Sequence, residues 1–330
     1  MAWFDQLSDD PLPWLLEVDD ANPGVRYFAL RDLLDRSADD ADMVEARDAL
    51  MRTGPVPVIL DAMDPEGFWV KPGGGYSPKY RSTVWQILVL AELGADPADP
   101  RVRRGCDYLL DHSIASNGAF ATGTKPSPNS VIHCLNGNLI WALLQLGYED
   151  DPRLHGALDW LALSIVGDPS IRFYGWGTSG PGFACGVNGG QPCGWGAAKA
   201  MRALLAVAPE RRSEAVTRAI DTGADFLLSR NPAKADYPYT ERVSSTWFKL
   251  GFPLSYWSDV LEVVDLLAQA GYGQDARLAD GVQWVLNRQD DHGRWKLGNS
   301  LGTKLWADIE QRGKPSKWVT LRVLRMLKAQ

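Results

Sequence analysis

Apolar residues recur at three- and four-residue steps through much of the chain, as in Val84, Ile87, Leu88 and Leu90, and again in Leu139, Ile140, Leu143, Leu144 and Leu146. That spacing belongs to helices, and alternation of strand type is nearly absent. Read with caps and breaks, the pattern predicts two interleaved helix series. One, at about 24–36, 81–93, 134–146, 193–207, 256–270 and 316–328, is apolar over most of its circumference, as inner helices are. The other, at about 42–52, 100–112, 152–166, 213–229 and 275–289, is amphipathic. Four of the amphipathic helices carry one phrase: Gly105-Cys-Asp-Tyr108-Leu-Leu, Ala157-Leu-Asp-Trp160-Leu-Ala, Gly223-Ala-Asp-Phe226-Leu-Leu and Gly281-Val-Gln-Trp284-Val-Leu. A recurring phrase of this kind marks one structural unit copied around an array. The expected fold is therefore all-α, an α/α toroid with inner and outer helix rings, formed as a single domain over 1–330 with 1–20 as a lead-in.

The connections are unequal. Inner-to-outer links such as Gly94-Ala-Asp-Pro, Gly147-Tyr-Glu-Asp-Asp-Pro and Gly271-Tyr-Gly-Gln-Asp are short turns built from a C-cap glycine and an acidic or proline-led helix start. Outer-to-inner links, at about 53–80, 113–133, 167–192, 230–255 and 290–315, are long and rich in Gly, Pro and aromatics. Loops of that length in a compact domain are usually functional. All five emerge where the inner helices begin, so the site is expected at that face, where helix dipoles favour thiolates, carboxylates or an anion.

Charge and composition narrow the chemistry. The 34 basic and 41 acidic residues give a net charge of −7, which disfavours nucleic acid. The first ten residues lack the pattern of a secretory signal and no run approaches eighteen apolar residues, so a soluble, cytoplasmic chain without a transmembrane segment is expected. Four Cys in 330 residues point to reduced thiols rather than a disulfide framework. No phosphate-cradling loop, dinucleotide fingerprint, serine-hydrolase elbow or zinc-protease helix occurs, so no nucleotide cofactor is expected. Oligomeric state is left open.

The segment Gly281-Val-Gln-Trp284-Val-Leu-Asn-Arg-Gln289-Asp-Asp-His-Gly293-Arg-Trp295 resembles the Gln-Trp repeat of squalene and oxidosqualene cyclases, with weaker echoes running from Gly105 to Phe120 and from Ala157 to Phe183. The chain looks most like bacterial single-domain proteins of the prenyltransferase and squalene-oxidase repeat group. That resemblance implies a six-fold α/α toroid around an apolar cavity and a hydrophobic, terpenoid-like small molecule as its occupant. It does not carry the catalytic acid across, because the Asp-x-Asp-Asp motif of class II cyclases is absent. The nearest string is Glu17-Val-Asp-Asp20. Cys193 resembles the Cys zinc ligand of the protein prenyltransferases, whereas their His ligand has no counterpart here.

Three of the four Cys fall on the long-loop face. Cys134 opens the third inner helix, and Cys185 and Cys193 bracket the Gly-rich loop before the fourth. Thiolates at adjacent helix starts are a candidate zinc site, with His133, Asp259, water or substrate in a fourth position. Thiols acting without metal, or small core residues, are the competing readings; Cys106 on an outer helix reads as packing. Asp259 and Tyr256 are candidate proton carriers, with His133 beside the thiols; for Asp259 the alternative is a first-turn acid that answers the helix dipole. Arg81, Trp176, Trp247 and Trp257 are candidate ligand contacts at an aromatic mouth. The expected function is an enzyme of lyase, isomerase or transferase type on an isoprenoid-like molecule. The alternatives are a non-catalytic toroid that binds a ligand or protein, with a structural Cys cluster, and a cyclase using Glu17 or another non-standard acid.

Overall fold

Asp and Ser residues set most of the helix starts. In the computed structural model, which describes residues 2–174, 179–238 and 243–330, the Asp99, Asp151 and Asp275 side chains accept the backbone N–H two residues on, at 2.8, 2.8 and 2.9 Å. In each case an Arg at that same position folds back onto the Asp. These caps satisfy amides that the first turn leaves orphaned. The α-helices, in chain order, are α1 (Leu12–Leu16), α2 (Pro23–Phe28), α3 (Ala41–Arg52), α4 (Pro55–Asp61), α5 (Thr83–Leu93), α6 (Pro100–Ser113), α7 (His133–Gln145), α8 (Pro152–Val166), α9 (Gly194–Ala206), α10 (Glu214–Leu228), α11 (Val260–Leu267), α12 (Ala279–Leu286) and α13 (Lys317–Lys328). No strand occurs among the described residues, only isolated bridges.

Helices α2, α5, α7, α9, α11 and α13 form the inner ring. Successive members pack together from α5 through α13, and α13 returns to α2. Gly24 of α2 lies against the carbonyl of Leu93 in α5, which completes the circuit. Inner helices are buried nearly all round: every residue of Thr83–Leu93 is buried. Helices α3, α6, α8, α10 and α12 each cover the outside of an inner partner. The lead-in folds over the seam between α2 and α13, where the Trp318 indole donates to Asn22 Oδ1 at 3.0 Å. No helix among the described residues is long and apolar enough to cross a membrane.

The Gly-x-aromatic turn explains the repeat physically. Gly67, Gly118 and Gly293 take positive φ values of 101°, 84° and 65°, a region costly for other residues. Each turn drives a fully buried aromatic, Trp69, Phe120 or Trp295, between outer and inner helices. The backbone N–H of that aromatic then donates to a side chain of the next inner helix: Thr83 at 3.2 Å, Asn136 at 2.8 Å and Thr320 at 3.1 Å. The Trp69 and Trp295 indoles close the wedge on the carbonyls of Ile59 and Val285. The copy ending in Trp69 follows α4, which occupies part of a segment expected to be loop.

Helices α7 and α9 make the closest approach in the ring. A Cβ on Gly137 would stand 2.2 Å from the Lys199 carbonyl oxygen and 2.6 Å from the Ala200 nitrogen, both backbone atoms that cannot swing aside. Gly137→Ala should therefore cost at least about 2–3 kcal/mol, read as a lower urea midpoint at unchanged slope. An unchanged midpoint would show that the two helices are not in contact at this point.

Candidate functional site

The long-loop end holds most of the residues singled out by sequence, and the structure fills it rather than opening it. Cys193 is the N-cap of α9, its sulfur accepting the Gly196 N–H at 3.4 Å. Cys134 lies near enough to feel the Cys185 and Cys193 thiols. Burial pushes the Cys134 thiol up to about 12. The neighbouring Cys193 thiol, with the amides of Asn188 and Val187, brings Cys185 down to about 6 against the opposing effect of burial. Cys134 lies in the first turn of α7 and Cys193 caps α9, the neighbouring inner helix. No three His, Cys, Asp or Glu side chains among the described residues are disposed to share a metal ion, however, so the expected zinc has no preformed ligand set there.

Two expected roles need correction. His133 turns away from the thiols: its Nε2 lies 3.0 Å from the Ser164 hydroxyl on α8, and its ring sits between Trp160 and Phe183. Burial lowers its pKa to about 3, so the imidazole is neutral and belongs to the joint between rings. Asp259 is the N-cap of α11 and is fully buried. Its carboxylate accepts the N–H groups of Gly251 at 3.0 Å and Glu262 at 2.8 Å, and both oxygens pair with Arg322 at 2.9 Å. Burial opposes ionisation, yet Arg322 and the two amides hold this carboxyl below its ordinary range. A carboxylate so fully engaged is an anchor, not an acid–base group.

The aromatics close the mouth. Tyr256 bonds the Tyr80 hydroxyl at 3.2 Å and packs edge-on against Trp85, Trp195 and Trp257. The void beside it, lined by Tyr76, Trp85 and Cys134 among others, measures about 10 Å³, room for roughly one water. Trp247 and Trp257 are buried in this packing. Arg81 lies outside it, donating to the Thr303 carbonyl and stacking on Trp306. Trp176 is outside the described residues. Glu17 is an exposed partner of Lys317. The void among these aromatics is too small to admit a terpenoid-sized molecule.

The segment 251–258 explains the closure. Arg322 of α13 holds the Gly251 carbonyl at 2.7 Å, and Phe252 stacks on Trp318 of the same helix at 4.2 Å. A few residues on, Asn138 of α7 donates to the Ser255 carbonyl at 3.0 Å. Since α7 and α13 stand on opposite sides of the ring, the segment crosses its axis and seals it from the long-loop end.

Below that seal lies a cavity of about 450 Å³, floored by Phe252 and Leu254 and walled by the C-terminal halves of the inner helices. Its walls are charged. Three consecutive inner helices each carry a charged pair three residues apart on an otherwise apolar surface: Lys199 and Arg202 on α9, Glu262 and Asp265 on α11, Arg322 and Arg325 on α13. The first member of each pair lies deeper. Lys199 Nζ contacts both Glu262 oxygens at 2.7 Å, and Arg322 clasps Asp259. One turn nearer the opening, Arg202 pairs with Glu92 at 2.7 Å and stacks on Trp141, while Arg325 pairs with Asp32 and covers Phe28.

Within this network two buried polar atoms, Asp265 Oδ1 and Arg325 Nε, have no partner. Burial pushes the Asp265 carboxyl above its ordinary range, against a hydrogen bond from Gln269 and the pull of Arg322, Arg325 and Arg202. Buried ion pairs are weak contributors to stability, because desolvation consumes most of the Coulombic gain. Such a ring of charge is therefore better suited to holding something than to holding the barrel together.

No family profile matches the sequence, and no curated protein does. Among solved structures, an unsaturated glucuronyl hydrolase specific for heparin matches at 12% identity over 94% of this chain and 85% of the other, with a TM-score of 0.52. A protein from Actinoplanes matches at 16% identity, 94% and 90% coverage and TM-score 0.45. The type II terpene cyclase MstE from Scytonema gives 16%, 94%, 87% and 0.44. At these identities the first of the three likenesses speaks to fold alone, and the chain has the α/α toroid fold.

Proposed function

We propose that the protein is an enzyme for a small, polar, anion-bearing molecule held in the charged cavity, with Asp265 as the proton-carrying group. The observation that carries this reading is a 450 Å³ cavity in which a buried carboxyl oxygen and a buried guanidinium nitrogen stand unpartnered among ion pairs. Arg325 and Arg202 present planar forks suited to a carboxylate or phosphate. Asp265, kept protonated to a higher pH than a free carboxyl, can donate its proton to a leaving oxygen or a developing negative charge and recover it afterwards. Glu92 and Glu262 are tied to cations and serve to hold those cations in place.

The test is a thermal-shift and calorimetric panel of citrate, glucuronate and inorganic phosphate against uncharged glucose. At a hundredfold excess over Kd, a bound anion should stabilise the fold by about 2.7 kcal/mol. Arg325→Met, which retains a stem over Phe28, should lose that response. Equal indifference to every anion, or a response unchanged in Arg325→Met, would remove the proposal. A non-catalytic binding toroid would instead retain both binding and full performance in Asp265→Asn.

A further inference from the structure

The thiols at the start of α9 are taken up neither by the charged cavity nor by a metal site. Residues 184 and 192 pair in antiparallel fashion, the Cys185 N–H donates to the Gln191 carbonyl at 3.1 Å, and the Cys193 N–H donates to the Phe183 carbonyl at 2.9 Å. In such a hairpin, positions 185 and 193 fall on one face as diagonal neighbours, and each thiol shifts the titration of the other. The loop between them contains Gly186, Gly189 and Gly190, and its Val187 is 79% exposed, so reagents reach it from solvent. Both cysteines are free, so closure must bring their sulfurs to the roughly 2.05 Å of a disulfide, a movement that a glycine-rich turn can absorb.

We propose that Cys185 and Cys193 form a dithiol site that exchanges with small-molecule disulfides and closes reversibly into an intramolecular disulfide. The Cys185 thiolate attacks one sulfur of oxidised glutathione, forming a mixed disulfide and releasing one glutathione as thiolate. The Cys193 sulfur then attacks the Cys185 sulfur, and the second glutathione leaves with the Cys193 proton. Two protein sulfurs are oxidised by two electrons and one glutathione disulfide is reduced to two thiols. The depressed pKa of Cys185 suits it to the attacking role, while the raised pKa of Cys193 suits a thiol that waits for the mixed disulfide. The bond would also clasp the loop to the N-cap of α9, the helix that carries Arg202 into the cavity.

Intact and peptide mass spectrometry of the full chain after exposure to oxidised glutathione decides the matter. The expected product has lost two hydrogens, yields a Cys185–Cys193 cross-linked peptide, leaves Cys106 and Cys134 open to alkylation after denaturation, and reverts with dithiothreitol. Cys193→Ser should trap glutathione on Cys185, and Cys185→Ser should react at least about tenfold more slowly at position 193. A stable glutathione adduct on Cys185 in the unmodified chain, a cross-link to Cys134, or no reaction of the folded protein would each overturn the proposal. The Cys193→Ser trap keeps the test informative if the Cys185 variant fails to fold.

Discussion

Asp259→Ala is expected to destabilise the protein by about 3–5 kcal/mol, the cost of stripping one partner from a buried ion pair. The carboxylate is fully buried, and its removal leaves Arg322, itself only 10% exposed, with a charge facing a void. It also orphans the N–H groups of Gly251 and Glu262, so the cap of α11 and the anchor of the crossing segment fail together. Urea unfolding should register the loss, and the paired change Asp259→Leu with Arg322→Met should restore most of it. The pH dependence has a definite sign. Because the folded carboxyl titrates below the ordinary value of 3.8, its stabilisation is fully present above that value and disappears as pH falls through the folded pKa. Asp259→Ala should lack that acid-range component of the stability curve. Were Asp259 instead a free proton carrier, its replacement would abolish function at little cost in stability.

Asp265→Asn is expected to do the opposite. The folded carboxyl titrates above 3.8, so its contribution is fully present below the unfolded pKa and is lost as pH rises through the folded one. At neutral pH the side chain therefore weakens the fold, and an amide of the same shape relieves that cost. The variant should be more stable at pH 7 by roughly 0.5–2 kcal/mol, with the gap over wild type narrowing as pH falls toward about 4. Function should fall by about 10²–10⁴, the range of a lost general acid or base. Gain of stability with loss of function at one residue is the signature of a group kept for its chemistry. A variant that is less stable at pH 7 and fully functional would mark Asp265 as a structural hydrogen-bonding group.

The two rings were legible in the sequence because each inner helix is apolar over most of its circumference and four of the five outer helices begin at an Asp or Ser cap that propensity and spacing both mark. The expected start of the fifth inner helix, near 256, lies before the observed Val260 because Asp259 serves as its cap while Ser255 to Ser258 complete a passage across the ring. Helix α4 was hidden by Pro55 and Pro57, which read as breakers although proline is tolerated in a first turn. The site proposed here lies at the other end of the ring from the expected one, for a physical reason. Loop length and aromatic content point to the inner-helix N-termini, and nothing local to those loops shows that one of them crosses and seals the axis. The signal for the opposite end was present, in the charged pairs of Lys199 with Arg202, Glu262 with Asp265 and Arg322 with Arg325. It was overshadowed by the apolar period around it.

Location is the central claim, and hydrogen-exchange mass spectrometry with the tightest anion of the panel tests it most directly. Binding should slow exchange in peptides from the C-terminal halves of α9, α11 and α13 that line the cavity, and leave 113–133 and 179–192 unchanged. Protection confined to those long loops, with the helix ends unaffected, would contradict the account and return the site to the aromatic face.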